Sequence, residues 1–143
     1  WHQRLCLKKS NVDEGVEIAF PKLEFIPFFL PELSFHCLES TKALANEGYR
    51  MAHCVEARAE SAITGKRFYF ALNIQGRDLT VEILRSKEVF LLGEAKGRFN
   101  RATTWEENRK IREFVHALND ASPRVVSPPR TQKRSPRKAD AAV

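Results

Sequence analysis

The sequence predicts an α+β domain: a helix, a three-stranded antiparallel β-meander and a second helix. An irregular proline- and aromatic-rich lobe precedes them and a disordered tail follows. Three observations carry this expectation. Phe68, Phe70, Leu72 and Ile74, then Leu79, Val81 and Ile83, alternate with their neighbours at the period of a strand. The loops between these runs are short, so neighbouring strands run antiparallel. Apolar residues also recur at three- and four-residue spacing on either side of the strands, as on a helix with one buried face.

In chain order, residues 1–20 give a weak signal. Val16, Ile18 and Phe20 alternate with Glu17 and Ala19, which predicts a short strand. From Phe20-Pro21 to Pro31 the prolines predict an extended segment packed across the core, because proline is excluded from the interior of regular elements. Ser40 or Thr41 caps a short helix expected to end near Gly48. A second helix is expected from about Tyr49 to Ile63, with Met51, Cys54, Val55, Ala59 and Ala62 as its apolar stripe. The strands follow, separated by turns at Gln75–Asp78 and Arg85–Lys87, and the third runs from Val89 to Ala95. The last helix starts at Thr103 or Thr104, since Thr103 with Glu106 and Thr104 with Glu107 both have capping-box spacing. Its expected buried stripe is Trp105, Ile111, Phe114, Val115 and Leu118, and it ends near Asn119.

The chain of 143 residues suits one domain, and 43% hydrophobic with 29% charged residues is a globular composition. It opens on Trp1 and its one Met is Met51, so we read it as a piece of a longer protein. No apolar run is long enough to span a bilayer, and no membrane role is expected. Three scattered cysteines, Cys6, Cys37 and Cys54, predict a reduced, cytoplasmic protein without a disulfide framework. The net charge of +6 is unevenly placed. Residues 1–120, the expected domain, hold 18 Lys/Arg against 17 Asp/Glu, whereas residues 121–143 hold 6 against 1.

Several strings together resemble a family. Glu47 to Val55 reads EGYRMAHCV, Phe68 to Leu72 reads FYFAL, Thr80 to Ile83 reads TVEI, and Gly97 to Arg101 reads GRFNR before a Thr-capped helix. With Trp1-His2 and Phe20-Pro21, this combination resembles the PcfJ-like proteins of conjugative plasmids and other mobile elements, over roughly residues 1–118. The sequence departs from that pattern at Glu56, Arg58 and Glu94, where the family carries a small residue, an aromatic and a glutamine. The resemblance implies an association with mobile DNA and names no reaction.

Four constellations carry chemistry. His53-Cys54 invites a nucleophile dyad, but neighbours on a helix point about 100° apart. Cys54 then reads as a buried small residue and His53 as the better functional candidate, with a half-buried structural histidine as the plain alternative. His36-Cys37 beside His53-Cys54 could suggest zinc, yet adjacent residues chelate poorly and no metal site is expected. Glu82 on the second strand with Glu94 and Lys96 on the third has the outline of a nuclease. Two carboxylates would hold a divalent cation and the lysine would steady phosphate charge. A three-residue loop at Arg85–Lys87 would put both carboxylates on one face, and a two-residue loop would not. Gly97, Arg98, Asn100 and Arg101 before a helix N-terminus make an expected anion site, or simply a turn. The tail offers Arg124, Arg130, Lys133, Arg134, Arg137 and Lys138 to phosphate backbones.

The leading expectation is therefore a nucleic-acid-linked accessory module, with a polar cluster of His53, Thr80, Glu82, Asn100 and Arg101. No cofactor is expected. Its nucleic-acid contact would be weak and non-specific, and the residues name no protein partner. The alternatives are a metal-dependent phosphodiesterase using Glu82, Glu94 and Lys96, and a protein-interaction domain with an apolar patch around Phe25, Phe28 and Phe29.

Overall fold

The computed structural model describes residues 17–24 and 28–129. Its elements are β1 (Lys22–Leu23), β2 (Leu33–Cys37), α1 (Thr41–Met51), a 3-10 turn (Val55–Arg58), α2 (Ala59–Ile63), β3 (Arg67–Ile74), β4 (Arg77–Ser86), β5 (Val89–Lys96), a second 3-10 turn (Arg98–Asn100), α3 (Trp105–Ala121) and β6 (Val125–Val126). The class is α+β, as expected.

The meander is one strand larger than expected: the sheet has four strands in the order β2-β3-β4-β5. Leu33, Phe35 and Cys37 alternate with Ser34 and His36, and β2 pairs antiparallel with β3 from Leu33↔Ile74 to Cys37↔Phe70. The prolines end at Pro31, so nothing prevents the next residues from joining an open sheet edge. The strand expected at Val16–Phe20 reduces, among the described residues, to an isolated bridge between Ala19 and Ser40. The first residues of the expected tail are structured. Val125–Val126 pairs with Lys22–Leu23, and Arg124 binds Glu24 at 2.6 Å.

One face of the sheet is apolar. Phe68, Phe70, Leu72, Ile74, Leu79, Val81 and Ile83 pack against Ile111, Phe114 and Leu118 of α3. Phe28 joins them, stacked on Phe35 with ring centroids 5.1 Å apart, so of the expected patch of Phe25, Phe28 and Phe29, Phe28 packs on the core and Phe25 lies outside the described residues. Only Phe29 of its described residues stands in solvent. The opposite face carries a second, smaller cluster of Phe20, Leu38, Leu44, Val55, Ala62, Tyr69 and Ala71, beneath α1 and α2.

The helix boundaries differ from expectation in a way that matters below. Gly48 does not end α1; it is buried inside it, and the helix runs on to Met51. The break comes at Ala52, which is left-handed, and its N–H bonds back to the helix carbonyls. The single helix expected over Tyr49–Ile63 is therefore the end of α1, a loop, a 3-10 turn and α2. The α3 start is the capping box Thr104–Glu107: the Glu107 N–H donates to Thr104 Oγ1 at 3.1 Å and the Thr104 N–H to Glu107 Oε1 at 2.9 Å. Trp105 points outward rather than into the stripe.

Candidate functional site

The sheet face beneath α1 is where chemistry-bearing residues converge. Strand parity puts Asp78, Thr80 and Glu82 of β4 on it, opposite Asn73, Ala71 and Tyr69 of β3. The turn between these strands is the two-residue Gln75-Gly76, both at positive φ, so Asp78 is a strand residue and faces α1.

His53 lies just after α1, where its N–H bonds to the Gly48 carbonyl at 3.0 Å. Its ring is buried and Nε2 sits 2.9 Å from Thr80 Oγ1. The Thr80 hydroxyl donates to Glu47 Oε2 at 2.5 Å. A hydroxyl has one proton, so the imidazole donates through Nε2–H and the relay runs His53 to Thr80 to Glu47. The Glu47 carboxylate also accepts from Arg50 at 2.8 Å. Arg50 bridges on to Asp78 at 2.9 Å, and Asn73 donates to that same carboxylate. Burial pulls the His53 pKa below the ordinary imidazole value, while the Glu47 charge pulls it the other way. Side-chain hydrogen bonds, first from Asn73 and then from Arg50, outweigh burial and hold Asp78 below its ordinary value.

Glu82 belongs to a second, adjacent network. Its Oε2 accepts from the Tyr69 hydroxyl at 2.8 Å and from Arg58 at 2.9 Å, and Arg67 Nε lies 3.3 Å away. Arg58 also reaches Glu94 at 3.4 Å. Burial and the Glu82 charge push the Tyr69 phenol well above its ordinary range. The loop between β4 and β5 is the two-residue Lys87-Glu88, which alone would separate Glu82 and Glu94. A β-bulge restores them to one face: Ile83 pairs with Leu92 but Val81 with Ala95, so Gly93 and Glu94 both oppose Glu82. Lys96, paired with Thr80, shares that face.

The corner Gly97–Arg101 is organised around a third carboxylate. Arg101 holds Glu107 through both nitrogens, at 3.2 and 3.1 Å, and Arg77 Nε lies 3.3 Å from the same group. At Gly97 a Cβ would lie 2.8 Å from the Arg101 guanidinium, so a larger residue here would press that side chain away from its place on Glu107. The expected anion site is not assembled as proposed. Glu107 occupies Arg101, the Glu107 N–H in the first turn of α3 is capped by Thr104 Oγ1, and Arg98 donates to the Arg50 carbonyl at 2.8 Å.

Of the expected cluster, then, His53 and Thr80 meet, while Glu82 and Arg101 each serve a different network. Asn100, half-buried, belongs to the corner. The carboxylate that His53 reaches is Glu47, which the sequence reading missed. A signal for it existed: Leu44, Glu47, Gly48 and Met51 fall on one helical stripe and all are buried. An acid in an apolar stripe requires a buried partner.

The cysteines carry no dyad. Cys54 is disulfide-bonded, which corrects the expectation of three reduced thiols. Burial, then the Glu39 charge, push the Cys37 thiol up to about 12. His36 and Cys37 point to opposite faces of the sheet, and no group of three or more His, Cys, Asp or Glu side chains among the described residues can hold a metal ion. Between β2 and α1 lies an open groove of about 470 Å³, lined by His36, Asn46, Glu47, Arg50, Asn73 and Asp78 over a floor that includes Ala43 and Ala71. In the tail, Arg124 is engaged by Glu24. Arg130, Lys133, Arg134, Arg137 and Lys138 lie outside the described residues.

No helix among the described residues is long and apolar enough to cross a membrane. No family model, curated protein or solved structure matches the chain.

Proposed function

We propose that the chain is a nucleic-acid-linked accessory module of a PcfJ-like, mobile-element protein, holding nucleic acid weakly and without sequence preference. The observation that carries the nucleic-acid part is the separation of charge. Residues 1–120 are nearly neutral, each buried carboxylate among the described residues has an arginine or hydroxyl partner, and the positive surplus sits in residues 121–143. Such a run binds phosphate backbones by releasing counterions. Because Arg124 is held by Glu24, the contact falls to Arg130, Lys133, Arg134, Arg137 and Lys138. The family part rests on the strings from Glu47 to Arg101. This reading carries a cytoplasmic location with it, against which the Cys54 disulfide weighs.

The test is a salt titration of duplex binding with the full chain. Replacing Lys133, Arg134, Arg137 and Lys138 by serine should flatten the plot of log affinity against log salt by as much as about 3–4 units. An unchanged slope would remove the tail from the reading.

A second reading, a metal-dependent phosphodiesterase, is favoured by the bulge that brings Glu82, Glu94 and Lys96 to one face. Against it, Arg58 already spans the two carboxylates, where a cation would have to sit. Cutting of DNA or RNA with magnesium or manganese, lost in Glu94→Ala, would support it. No cutting by the unaltered chain would end it.

A further inference from the structure

The corner between β5 and α3 holds an anomaly that neither the core nor the polar networks use. Phe99 has φ 57 and ψ 33, a left-handed conformation that is an outlier for a bulky side chain, and Asn100 follows it at φ 61. The fold holds Phe99 in this unfavourable conformation, yet its ring stays 68% exposed and joins neither hydrophobic cluster of the described residues. Strain that brings no burial points to a surface role. The ring is held in place from beside. The Arg98 guanidinium lies 5.6 Å from the ring centroid and is itself anchored to the Arg50 carbonyl at the end of α1. Trp105, 71% exposed on the first turn of α3, has the Arg109 guanidinium 5.7 Å from its ring. Tyr49, beside the carbonyl that Arg98 grips, is 83% exposed.

The chain leading into and across the corner is positive. From Ala95 to Trp105 the chain carries Lys96, Arg98 and Arg101 and no acid. Arg101 and Arg77 share the single Glu107 carboxylate, and Arg98 donates to the Arg50 carbonyl, with Asp78 near enough to feel its charge. Exposed aromatic rings with guanidinium groups at their sides suit unpaired bases; Phe99 lies in the acid-free stretch, while at Trp105 the Arg109 guanidinium also pairs with Glu113 at 3.6 Å. The rings stack on base faces and the cations meet the backbone. A duplex keeps its base faces inside and offers only the backbone.

We propose that the Phe99–Trp105 corner is a base-stacking platform for single-stranded nucleic acid. This deepens the nucleic-acid reading above and rests on it: the tail supplies non-specific charge, and the corner supplies the preference for single strands.

The test compares an oligothymidylate of about 12 nucleotides with a duplex of the same length, using the full chain and fluorescence anisotropy. The unaltered protein should bind the single strand more tightly. Phe99→Gly should weaken single-strand binding about fivefold or more and leave duplex binding unchanged, and Trp105→Ala should do the same. Phe99→Gly also relieves the left-handed backbone, so loss of folding is not the expected cause of its defect. In a Trp1→Phe background Trp105 is the sole tryptophan, and the oligonucleotide should quench its emission. If both ligands bind, neither responds to Phe99→Gly or Trp105→Ala, and both are lost when the tail charges are neutralised, the platform is refuted while the nucleic-acid reading stands. If neither ligand binds, both fail, and the exposed rings are left to a protein partner.

Discussion

Thr80→Val tests the centre of the buried relay. Valine has nearly the shape of threonine, so the substitution removes the hydroxyl and little else. The Thr80 hydroxyl is fully buried between His53 Nε2 at 2.9 Å and Glu47 Oε2 at 2.5 Å. A hydrogen bond to a carboxylate contributes about 1.5–3 kcal/mol, and a buried donor stripped of its acceptor costs about 1–3 kcal/mol. The added methyl returns at most about 0.8 kcal/mol of burial. The net loss is about 3 kcal/mol, which for a domain near this size lowers Tm by roughly 10–20 °C. Thr80→Ser is the control: it keeps the hydroxyl and loses one methyl, for about 1 kcal/mol. Urea unfolding followed by circular dichroism, at constant m-value, reads both. A valine variant as stable as the serine variant, or more so, would show that the relay holds nothing together.

Three further outcomes follow from the same geometry. Burial depresses the His53 pKa in the folded state, so below about pH 6.5 the unfolded chain takes up a proton that the native imidazole refuses. Stability should therefore fall as pH drops from about 7 until the native imidazole itself protonates, and His53→Gln should flatten that dependence; parallel curves would refute it. Gly93→Ala would place a Cβ within 3.0 Å of the Glu82 side chain, which Tyr69 and Arg58 hold in place. It should cost about 1–3 kcal/mol in urea unfolding, and clearly less in a Glu82→Ala background, where additive losses would contradict the bulge. Glu107→Ala removes the capping box and leaves Arg77 and Arg101 without their shared partner. A loss of about 2–4 kcal/mol is expected, and a loss below 1 kcal/mol would make the corner's ion pairs superficial.

Much of the fold was legible because local and global preferences agree. Strict alternation from Phe68 to Ile83, the Gln75-Gly76 turn and the Thr104–Glu107 cap each specify one geometry. The fourth strand was hidden by length: five residues after a run of prolines are a weak signal, and an open β3 edge is visible only in three dimensions. The break after Met51 had no local marker. Leu44, Gly48, Met51 and Val55 continue one helical stripe across it, and alanine is an uncommon residue for the left-handed position that Ala52 holds. Hydrophobicity alone assigns Trp105 to the interior, although the position four residues before Ile111 is Glu107, which is the buried one. The bulge carried a signal in Gly93, since a glycine inside an apolar strand often marks one. The identity of the acid that meets His53 was a pairing across 33 residues of chain between Glu47 and Thr80, and no local pattern contains it.

The two faces of the sheet divide the work of specifying the fold. The apolar face under α3 accounts for most of the burial, but phenylalanine and leucine tolerate small shifts of a helix lying on them. The face under α1 does not. Glu47 must meet Thr80 while Arg50, one turn on, meets Asp78, and those two strand residues are themselves one side-chain spacing apart on β4. Sliding α1 by one turn would carry Glu47 toward Asp78 or Glu82, the same-face neighbours of Thr80 on β4, and set carboxylate against carboxylate. A misplaced buried charge is far more costly than a misplaced methyl. The polar relay therefore acts as a register pin for α1. The consequence reaches the surface, because the Arg50 carbonyl that anchors Arg98 sits at the end of that same helix. The position of the exposed Phe99 corner is thus set, through Arg98 and α1, by the buried contact between Glu47 and Thr80.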